Sequence, residues 1–497
     1  MMTDPASASP VVAPSPTSFR VAFVNPPFLP DYSRGQRSPA VTRSGTLYYP
    51  IWLAYAAAWA RGQGHAILLH DAVAWRRDDA ASLDEVCTFK PDVVLVEGAT
   101  PSIEADLAYA ERLKARLPPG AQVFAVGTHV SALPDEALAK APTLDGVIVG
   151  EYEIPLREIL RARVAGRPLA GLEGVAVPGH PAGPCREYLT DLDQLPFVSE
   201  IYRDFLPIDR YFNPNAHHPM VTILTGRGCP FHCSFCVFPQ TLTGHAYRRR
   251  SLESVLAEFE WVARHLPQVR GIFIEDDTFT ADQPRVREFA QRLRARRLPL
   301  TWTANARADV SLETMIAMRE AGLRALCVGF ESGSQALLDR IGKGISLSTM
   351  ETFARQARQA GIKIHGCFMV GLPGETKATM QETLQFALRL PLDTAQFYPL
   401  MVYPGTRAFR EAERAGHLVP KSWREWLSAE GLHNCVVRTG DCGPAALVRF
   451  CNFARRRFYL SKSYLWYTLQ KVLTDAEERH RILRSARTFL GHLLRDA

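Results

Sequence analysis

The sequence predicts an α/β protein made of two strand-and-helix alternations followed by a helical region. Three observations lead to this prediction. Five apolar runs alternate with helical stretches before residue 160, six more do so between residues 220 and 402, and the C-terminal part has a helical apolar rhythm without strand-like runs. Alternating apolar strands and helices are typical of parallel sheets with helices on their faces. We therefore expect a doubly wound parallel-sheet domain, an open (β/α)6 barrel and a C-terminal helical appendage.

Composition excludes several classes of protein. With 497 residues, of which 47% are hydrophobic and 22% charged, the chain is neither disordered, collagen-like nor a coiled coil. Ten cysteines are too few for a disulfide framework in a chain of this length. The sequence lacks the run of about 18 apolar residues that predicts a membrane span, and no nucleic-acid-binding motif accompanies the net charge of +7. We expect a cytoplasmic protein with no nucleic-acid partner.

The first alternation predicts the N-terminal domain. Residues 1–17 are a Pro-, Ala- and Ser-rich leader that we expect to be disordered, and residues 18–160 form the domain. Strands are predicted at 20–28, 66–72, 92–100, 122–129 and 146–151, and helices at 50–62, 82–89, 103–117 and 134–140. In such sheets, ligands bind beyond the carboxyl ends of the strands. The candidate binding residues at those ends are Asn25, Thr100, Ser102, Gly127, His129, Gly150 and Glu151.

The second alternation follows a Pro- and Gly-rich linker at 161–215. Barrel strands are predicted at 221–226, 271–276, 300–305, 325–331, 364–372 and 394–402, and helices at 252–265, 283–296, 311–321, 347–360 and 377–389. We expect the barrel domain over 216–419 and the helical region over 420–497. In barrels of this kind, the chemistry takes place at the carboxyl ends of the strands.

Three cysteines directly follow the first barrel strand. Cys229, Cys233 and Cys236 are spaced C-x3-C-x2-C, so one short loop carries three thiols. Thiolate is the soft ligand that iron–sulfur clusters require. A four-iron cluster held by three protein thiolates keeps one iron open for a small molecule. A structural zinc site, with His232 or His245 as a further ligand, is the alternative that the spacing leaves open.

This loop, placed after the first strand of a six-unit barrel, resembles that of the radical S-adenosylmethionine superfamily. The resemblance covers about residues 217–410. It implies a TIM-like partial barrel and a 4Fe-4S cluster on the three cysteines, whose open iron binds S-adenosylmethionine. It also implies cleavage of S-adenosylmethionine to a 5′-deoxyadenosyl radical, which takes a hydrogen atom from an unreactive carbon. An external electron donor such as flavodoxin or ferredoxin would supply the electron.

The same resemblance implies which residues bind S-adenosylmethionine. Phe235 corresponds to the aromatic residue near the adenine, and Gly371 and Gly374 belong to a turn that permits close approach to the adenine. Glu275-Asp276-Asp277 stands where many members have Gly-Gly-Glu. The ligand of the methionyl amino group therefore stays open among these three residues, with Asp276 and Asp277 as comparable candidates.

Three further candidates follow the third and fourth barrel strands. Asn305 and Arg307 follow the third strand, where a guanidinium can pair with the methionyl carboxylate. Glu331 follows the fourth strand and can accept hydrogen bonds from ribose hydroxyls or the amine. The structural alternatives are a helix cap for Asn305, Asp277 or Glu331, a surface ion pair between Arg307 and Asp309, and a plain turn at the two glycines.

The N-terminal domain resembles the Rossmann-like, cobalamin-binding domain of a large group in this superfamily. The resemblance rests on the segment that begins Gly127-Thr128-His129 and on Gly150-Glu151-Tyr152-Glu153. The family's D-x-H-x-x-G lower-ligand sequence is absent, because Asp71 is followed by Ala-Val-Ala-Trp. The resemblance thus implies cobalamin binding by the strand-end residues without a histidine from that motif below the cobalt. His129 stays open between a ligand-loop residue and a turn residue.

From Asn25-Pro26-Pro27 onward, the whole chain resembles the branch that contains hopanoid-modifying radical enzymes and the anaerobic magnesium-protoporphyrin ester oxidative cyclase. This implies an enzyme, and C-methylation of a lipid or secondary metabolite is the first expectation. Oxidative cyclisation or ring rearrangement without methyl transfer is the second, and an iron–sulfur redox or regulatory binding protein is the third. Similarity of fold does not distinguish among these.

The C-terminal region concentrates positive charge. From Cys451 to the end, ten Lys and Arg residues stand against four Asp and Glu residues, and Arg455-Arg456-Arg457 precedes several aromatic residues. Such helices either lie on an anionic membrane surface, here the inner membrane, and receive a lipid, or pack on the barrel with solvated arginines. Cys435, Cys442 and Cys451 are expected to be ordinary buried thiols rather than ligands of a second cluster.

Overall fold

The computed structural model describes residues 18–183, 188–440 and 442–474. The N-terminal domain is a six-stranded sheet in the order β2-β1-β3-β4-β5-β6, in which β1 to β5 are parallel and β6 is antiparallel. Its strands are β1 (Arg20–Asn25), β2 (Ala66–Asp71), β3 (Val93–Glu97), β4 (Gln122–Val126), β5 (Gly146–Ile148) and β6 (Val175–Ala176). Its helices are α1 (Ile51–Gly62), α2 (Asp79–Phe89), α3 (Ile103–Arg116), α4 (Thr128–Ala132), α5 (Pro134–Lys140) and α6 (Glu153–Ala165). The predicted leader lies outside the described residues.

The second domain is an open half-barrel. Its six parallel strands are in the order β7-β10-β11-β12-β13-β14, and β8 and β9 form a separate antiparallel pair. The strands are β7 (Met220–Ile223), β8 (Gly226–Arg227), β9 (Arg248–Arg249), β10 (Gly271–Ile274), β11 (Thr301–Ala306), β12 (Leu323–Glu331), β13 (Lys363–Val370) and β14 (Thr394–Pro399). The helices are α7 (Val198–Phe205), α8 (Val237–Thr241), α9 (Leu252–His265), α10 (Gln283–Arg296), α11 (Leu312–Glu320), α12 (Gln335–Arg340), α13 (Leu347–Gln359), α14 (Lys377–Arg389), α15 (Arg407–Arg414), α16 (Pro444–Tyr459) and α17 (Lys462–Thr474).

Two predicted segments contain more structure, or different structure, than expected. The predicted linker at 161–215 holds the short edge strand β6 and the helix α7, both too short to give a clear apolar period. In the predicted helical region, the described residues of 420–443 contain only a 3-10 turn at Trp423–Trp426 and isolated bridges such as that between Leu427 and His433. The helical appendage therefore begins at α16 rather than at residue 420.

Helix α1 lies between the two sheets and joins them. Residues 51–60 of this helix are all buried, as expected for a helix that is apolar on every side. The Tyr55 hydroxyl donates to the Leu224 carbonyl (3.3 Å) and accepts from the Leu224 N–H (2.8 Å), just past the end of β7. The ring of Trp52 packs edge-on against Phe238 at 5.3 Å. These contacts fix the N-terminal domain against the first strand of the half-barrel.

The inner face of the half-barrel is polar. Along β12 to β14, most residues of the outward face are apolar and buried, whereas several residues of the inner face keep solvent-accessible surface. The inner residues include Cys327, His365, Cys367, Gln396 and Tyr398. A strand buried on both faces reads as a continuous apolar run, so this alternation shows that one face borders an open space.

The C-terminal helices cover the open edge of the half-barrel. Helix α16 packs on β14, where the Tyr459 hydroxyl donates to the Ala395 carbonyl (2.9 Å) and accepts from the Ala395 N–H (3.1 Å). Helix α17 leaves an apolar face exposed, with Leu465, Trp466 and Leu473 at 51%, 62% and 70% accessibility. Cys435, Cys442 and Cys451 are buried free thiols. Among the described residues, no helix is long and apolar enough to cross a membrane.

Candidate active site at the carboxyl ends of the two sheets

The cysteine loop follows β8 and is fixed at its start by the backbone. Gly228 has φ +87°, and a Cβ atom there would lie 2.2 Å from the Ala246 carbonyl oxygen, so only glycine fits. The Cys229 N–H donates to the Gly244 carbonyl (3.3 Å), and His245 Nδ1 lies 3.0 Å from the Cys229 carbonyl oxygen. The first cysteine is thus held between β8 and the segment that leads into β9.

Gln240 closes the loop from its other end. Its Nε2 donates to the carbonyls of Cys233, Ser234 and Cys236, at 3.4, 3.2 and 2.8 Å. Its Oε1 accepts from the Arg407 N–H at 2.9 Å. One amide in α8 therefore holds the stretch that carries the second and third cysteines. Gln240 has no signature in the sequence, because a lone glutamine in a helix belongs to no motif.

The three cysteines form a donor set suited to a metal cluster. All three are free and partly exposed, and burial raises the pKa of the Cys229 thiol to about 11 and that of Cys236 further. Bound metal cations remove this penalty by stabilising the thiolates. Within the described parts of the chain, no three His, Cys, Asp or Glu side chains converge on one ion position. A zinc ion needs such convergence, whereas a four-iron cluster needs one thiolate for each of three irons.

Asp276 holds two strands together. It is fully buried, and its carboxylate accepts from the Thr225 N–H (2.6 Å), the Thr225 hydroxyl (2.6 Å) and the Tyr247 hydroxyl (3.3 Å). Burial raises its pKa to about 6 although these hydrogen bonds oppose the rise. Asp276 stays a predicted S-adenosylmethionine ligand, but both of its oxygens already have donors.

Glu275 and Asp277 flank Asp276 and meet an arginine from the other domain. Arg37 Nη1 lies 2.5 Å from Glu275 Oε1, and Arg37 Nη2 lies 3.1 Å from Asp277 Oδ1. The Thr243 hydroxyl donates to Asp277 Oδ2 at 3.0 Å. The second oxygen of Glu275, Oε2, is buried and makes no hydrogen bond of ordinary geometry among the described residues, although the Asn305 side chain interacts with this carboxylate and lowers its pKa against the rise caused by burial. A buried acceptor of this kind is rare unless a ligand completes it.

Glu331 provides a second unpartnered carboxylate oxygen. It ends β12 with φ +66°, an uncommon value for a residue other than glycine, beside a break in the register between Gly329 and Glu331. Its Oε1 lies 2.8 Å from Lys343 Nζ, and both side chains are buried. Its Oε2 has no partner within the described chain. A Cβ atom on Gly329 would lie 2.1 Å from Glu331 Oε1, so a side chain there would displace the Glu331 carboxylate.

Asn305 and Arg307 lie beside these carboxylates, but most of the Arg307 guanidinium already contacts other residues of the chain. Asn305 Nδ2 donates to the Asp276 carbonyl at 3.4 Å. Arg307 Nη2 donates to the Lys343 carbonyl (2.8 Å), Nε pairs with Asp309 (3.2 Å), and the guanidinium lies 3.6 Å from the centre of the Phe231 ring. Arg307 therefore connects the cysteine loop to the Lys343 turn. Its binding to a methionyl carboxylate stays a prediction.

The glycine turn after β13 is built around one buried glutamate. Gly371 and Gly374 have φ of +93° and +85°. Glu375 Oε2 accepts from the Gly371 N–H (2.9 Å) and the Leu372 N–H (3.1 Å), and burial raises the pKa of Glu375 to about 7. Phe235 is half-buried against the core in the cysteine loop. The adenine-binding roles of Phe235 and the two glycines stay predictions.

The carboxyl edge of the N-terminal sheet contains a buried polar network. Arg34 donates to Asp106 Oδ1 (3.0 and 2.8 Å) and to Asn25 Oδ1 (2.9 Å). Asn25 Nδ2 in turn donates to Asp71 (2.8 Å), and the Ser102 hydroxyl donates to Asp106 (2.6 Å). Two of the predicted cobalamin-site residues, Asn25 and Ser102, therefore support this edge through their side chains.

The other predicted residues of this edge are brought together as well. His129 Nδ1 lies 3.2 Å from the Thr100 hydroxyl, and burial lowers the pKa of His129 to about 4. The centre of its ring lies 5.0 Å from that of the Trp423 ring, in an edge-to-face arrangement. Gly127 has φ +122°, and a Cβ atom there would lie 2.2 Å from the Gly98 carbonyl oxygen. The two loop backbones approach so closely at this point that only glycine fits.

The fifth strand ends at a contact with the half-barrel. Gly150 has φ +87°, and its N–H donates to the Ser131 hydroxyl at 3.1 Å. Glu151 is buried and pairs with Arg248 in β9 (2.6 Å) and with Arg227 in β8 (3.5 Å). Glu151 thus joins the candidate cobalamin edge to the strands that hold the cysteine loop.

Comparison with known proteins agrees with this arrangement. The family model of the Radical SAM superfamily matches residues 223–387, and that of the B12 binding domain matches residues 37–160. An uncharacterized methyltransferase of Pyrococcus horikoshii is 30% identical over 390 residues, which are 78% of this chain and 83% of the relative. The chain belongs to the radical SAM superfamily. The predicted family, the fold class and the cofactors (a 4Fe-4S cluster, S-adenosylmethionine and cobalamin) are confirmed.

Other members of this superfamily resemble the whole chain. The anaerobic magnesium-protoporphyrin IX monomethyl ester cyclase of Rubrivivax gelatinosus is 25% identical over 455 residues, covering 89% of this chain and 78% of the relative. The structure of the radical S-adenosylmethionine methyltransferase TsrM from Kitasatospora setae, with cobalamin and a [4Fe-4S] cluster bound, superposes with a TM-score of 0.64 at 19% identity. That match covers 93% of this chain and 90% of TsrM, and it supports the fold. This radical SAM protein is therefore an enzyme of the cobalamin-binding type.

Proposed function

We propose that this radical SAM enzyme transfers a methyl group to an unactivated carbon of a small molecule. The observation that carries the proposal is that one short segment, residues 34–38, contacts both cofactor edges. Arg34 is bonded to Asp106 at the cobalamin edge, and Arg37 is bonded to Glu275 at the S-adenosylmethionine edge. Cofactor sites that share one segment can act on one substrate placed between them. The methyltransferase named among the relatives supports the same reaction.

We assign roles to the residues around that space. Cys229, Cys233 and Cys236 hold the cluster, while Glu275 and Glu331 accept hydrogen bonds from S-adenosylmethionine through their unpartnered oxygens. When bound, the cluster and S-adenosylmethionine supply a 5′-deoxyadenosyl radical, and cobalamin supplies the methyl group. The inner-face residues of β12 to β14 border the substrate space. Their polarity favours a secondary metabolite, or a lipid with a polar head, that carries hydrogen-bonding groups.

Oxidative cyclisation or ring rearrangement is the second candidate reaction. The magnesium-protoporphyrin cyclase covers more of this chain than the methyltransferase does, 89% against 78%, although its identity is lower. Both reactions begin with the same hydrogen abstraction, so the cluster and S-adenosylmethionine sites serve either one. The two differ in whether a methyl group is consumed.

The products distinguish the two reactions. Anaerobically reconstituted enzyme with cobalamin, a reductant and an extract of the producing cells is expected to form S-adenosylhomocysteine together with 5′-deoxyadenosine. Deoxyadenosine without S-adenosylhomocysteine would support cyclisation or rearrangement. We propose flavodoxin or ferredoxin as the physiological electron donor, and replacement of the chemical reductant by either reduced protein tests that assignment.

We also propose that the enzyme works in the cytoplasm and touches the inner membrane through its C-terminal helices. The exposed apolar face of α17 lies next to the arginines that end α16, and this combination suits an anionic bilayer surface. Sedimentation with vesicles containing phosphatidylglycerol is expected to retain the enzyme, and Trp466→Ser is expected to weaken binding. Ile316→Ser, at a 42% exposed apolar residue of α11, is the matched control. Equal binding by both variants would contradict the proposal.

A further inference from the structure

We propose that Arg37 is a positioning residue of the S-adenosylmethionine site, supplied by the N-terminal domain. It holds Glu275 Oε1, so that Oε2 is left as the acceptor for the methionyl ammonium group. This inference rests on the proposed role of Glu275 and adds a residue from the other domain. Arg37 lies in an irregular segment between β1 and α1, more than 200 positions before the residues it contacts.

The geometry of Arg37 fixes the turn that follows β10. Its Nη1 donates to Glu275 Oε1 (2.5 Å), and its Nη2 donates to Asp277 Oδ1 (3.1 Å) and to the carbonyls of Glu275 (3.2 Å) and Asp276 (3.1 Å). A planar guanidinium that bonds both the side chain and the backbone of one turn leaves that carboxylate little rotational freedom. A lysine, with its single flexible ammonium, does not reproduce this fork.

Charge gives Arg37 a second effect on the same site. The Glu275 and Asp277 side chains are only 13% and 4% exposed. Burial raises the pKa of Glu275, the Asp277 charge adds to the rise, and the Arg37 guanidinium opposes it. A protonated carboxyl group is a poor acceptor for an ammonium ion. Arg37 therefore favours the ionised carboxylate of Glu275, the form that accepts hydrogen bonds from an ammonium group.

The N-terminal domain holds Arg37 in place. Three residues earlier, the Arg34 side chain is fully buried and bonded to Asp106, Asn25 and the Pro26 carbonyl. The Arg37 guanidinium lies 5.2 Å from the centre of the Phe238 ring, which follows the cysteine loop. The contacts of Arg34 at the cobalamin edge thus fix the position from which the Arg37 side chain extends into the half-barrel.

The simpler alternative is that Arg37 only ties the two domains together. The two roles predict different effects on the site when the substitutions at Arg37 and Glu275 are combined in one variant. If Arg37 acts through Glu275, its removal matters little once Glu275 has lost its charge. If Arg37 only joins the domains, its removal affects the site whatever residue stands at position 275, and it also lowers the stability of the whole protein.

The test measures S-adenosylmethionine binding by anaerobic equilibrium dialysis with cluster-reconstituted full-length protein. Variants are Arg37→Gln, Arg37→Lys, Glu275→Gln and the Arg37→Gln/Glu275→Gln double variant. Arg61→Gln is the matched control. Arg61 Nη1 forms a surface ion pair with Asp204 Oδ2 at 2.7 Å, away from the site. Iron content, cobalamin absorbance and thermal unfolding are recorded for each variant.

We expect Arg37→Gln and Glu275→Gln each to raise the Kd for S-adenosylmethionine by roughly tenfold or more, the usual effect of losing a charge-assisted hydrogen bond. The double variant should be no weaker than the worse single variant, Arg37→Lys should restore only part of the affinity, and Arg61→Gln should bind normally. A Kd within twofold of wild type for Arg37→Gln, or effects that multiply in the double variant, would overturn the proposal. If wild-type protein with a full cluster does not bind S-adenosylmethionine, the proposed function fails instead.

Discussion

Alanine at Gly127 tests the architecture of the cobalamin edge. Gly127 has φ +122°, outside the left-handed helical region, and a Cβ atom would lie 2.2 Å from the Gly98 carbonyl oxygen. Strain at such a φ costs roughly 1–3 kcal/mol, and displacement of the backbone loop adds to it. We expect Gly127→Ala to lower the free energy of unfolding by about 4 kcal/mol, in the range reserved for severe core lesions.

Gly64 provides the matched control for this prediction. It has φ +85°, but a Cβ atom there meets nothing within 4 Å, so Gly64→Ala is expected to cost only about 1 kcal/mol of backbone strain. Urea unfolding followed by circular dichroism gives the two stabilities, and titration with hydroxocobalamin gives binding from the absorbance of the corrinoid. Gly127→Ala should lose cobalamin binding, and Gly64→Ala should keep it. Equal unfolding midpoints, or normal cobalamin binding by Gly127→Ala, would refute the reasoning.

Four further predictions follow from the described contacts. Replacing any one of the three cluster-loop cysteines with Ala should abolish the iron–sulfur absorbance and S-adenosylmethionine cleavage, whereas the same change at the buried cysteine of α16 should preserve both. Lys343→Met leaves Glu331 buried without a cation and should cost about 3–5 kcal/mol of stability, part of which Glu331→Gln should restore when added. The pKa of His129 falls to about 4 from an unfolded value of 6.5, so its neutral form stabilises the fold. The contribution of His129 to the free energy of unfolding is complete above pH 6.5 and is lost as the pH falls toward 4, a loss of about 3 kcal/mol. His129→Gln should therefore flatten this part of the plot of unfolding free energy, measured in urea, against pH. Tyr459→Phe removes both hydrogen bonds to Ala395 and should speed amide exchange in β14, at a cost of about 1–2 kcal/mol; unchanged exchange would contradict the contact.

Local patterns in the sequence predict much of this molecule. The C-x3-C-x2-C spacing and the glycines at strand ends are local features, because each depends on a few neighbouring residues. The strand-and-helix alternation likewise predicts both sheets. The first barrel strand, predicted at 221–226, is shorter than expected and ends at Ile223. The reason is a side chain: the Thr225 N–H donates to Asp276 instead of to a neighbouring strand.

Residues that act across the domain boundary escape sequence analysis. Arg37 lies in a stretch without periodicity, and its partner Glu275 is 238 positions away. Nothing local distinguishes Glu275 from Asp276, although the structure gives Asp276 three donors and leaves one oxygen of Glu275 unpartnered. The choice between them depends on which strand each carboxylate contacts after folding.

The contact between Tyr459 and Ala395 lies at the outer edge of β14. A half-barrel ends in an edge strand, and an edge strand with free N–H and C=O groups is a template for pairing with another chain. A single phenol occupies both groups of Ala395, in the manner of a neighbouring strand, and α16 packs against β14. The C-terminal region therefore occupies part of an edge that would otherwise be open to pairing with another chain. Shortened versions of the protein that end before α16 should form oligomers through β14 even if the cluster and both cofactor sites remain intact.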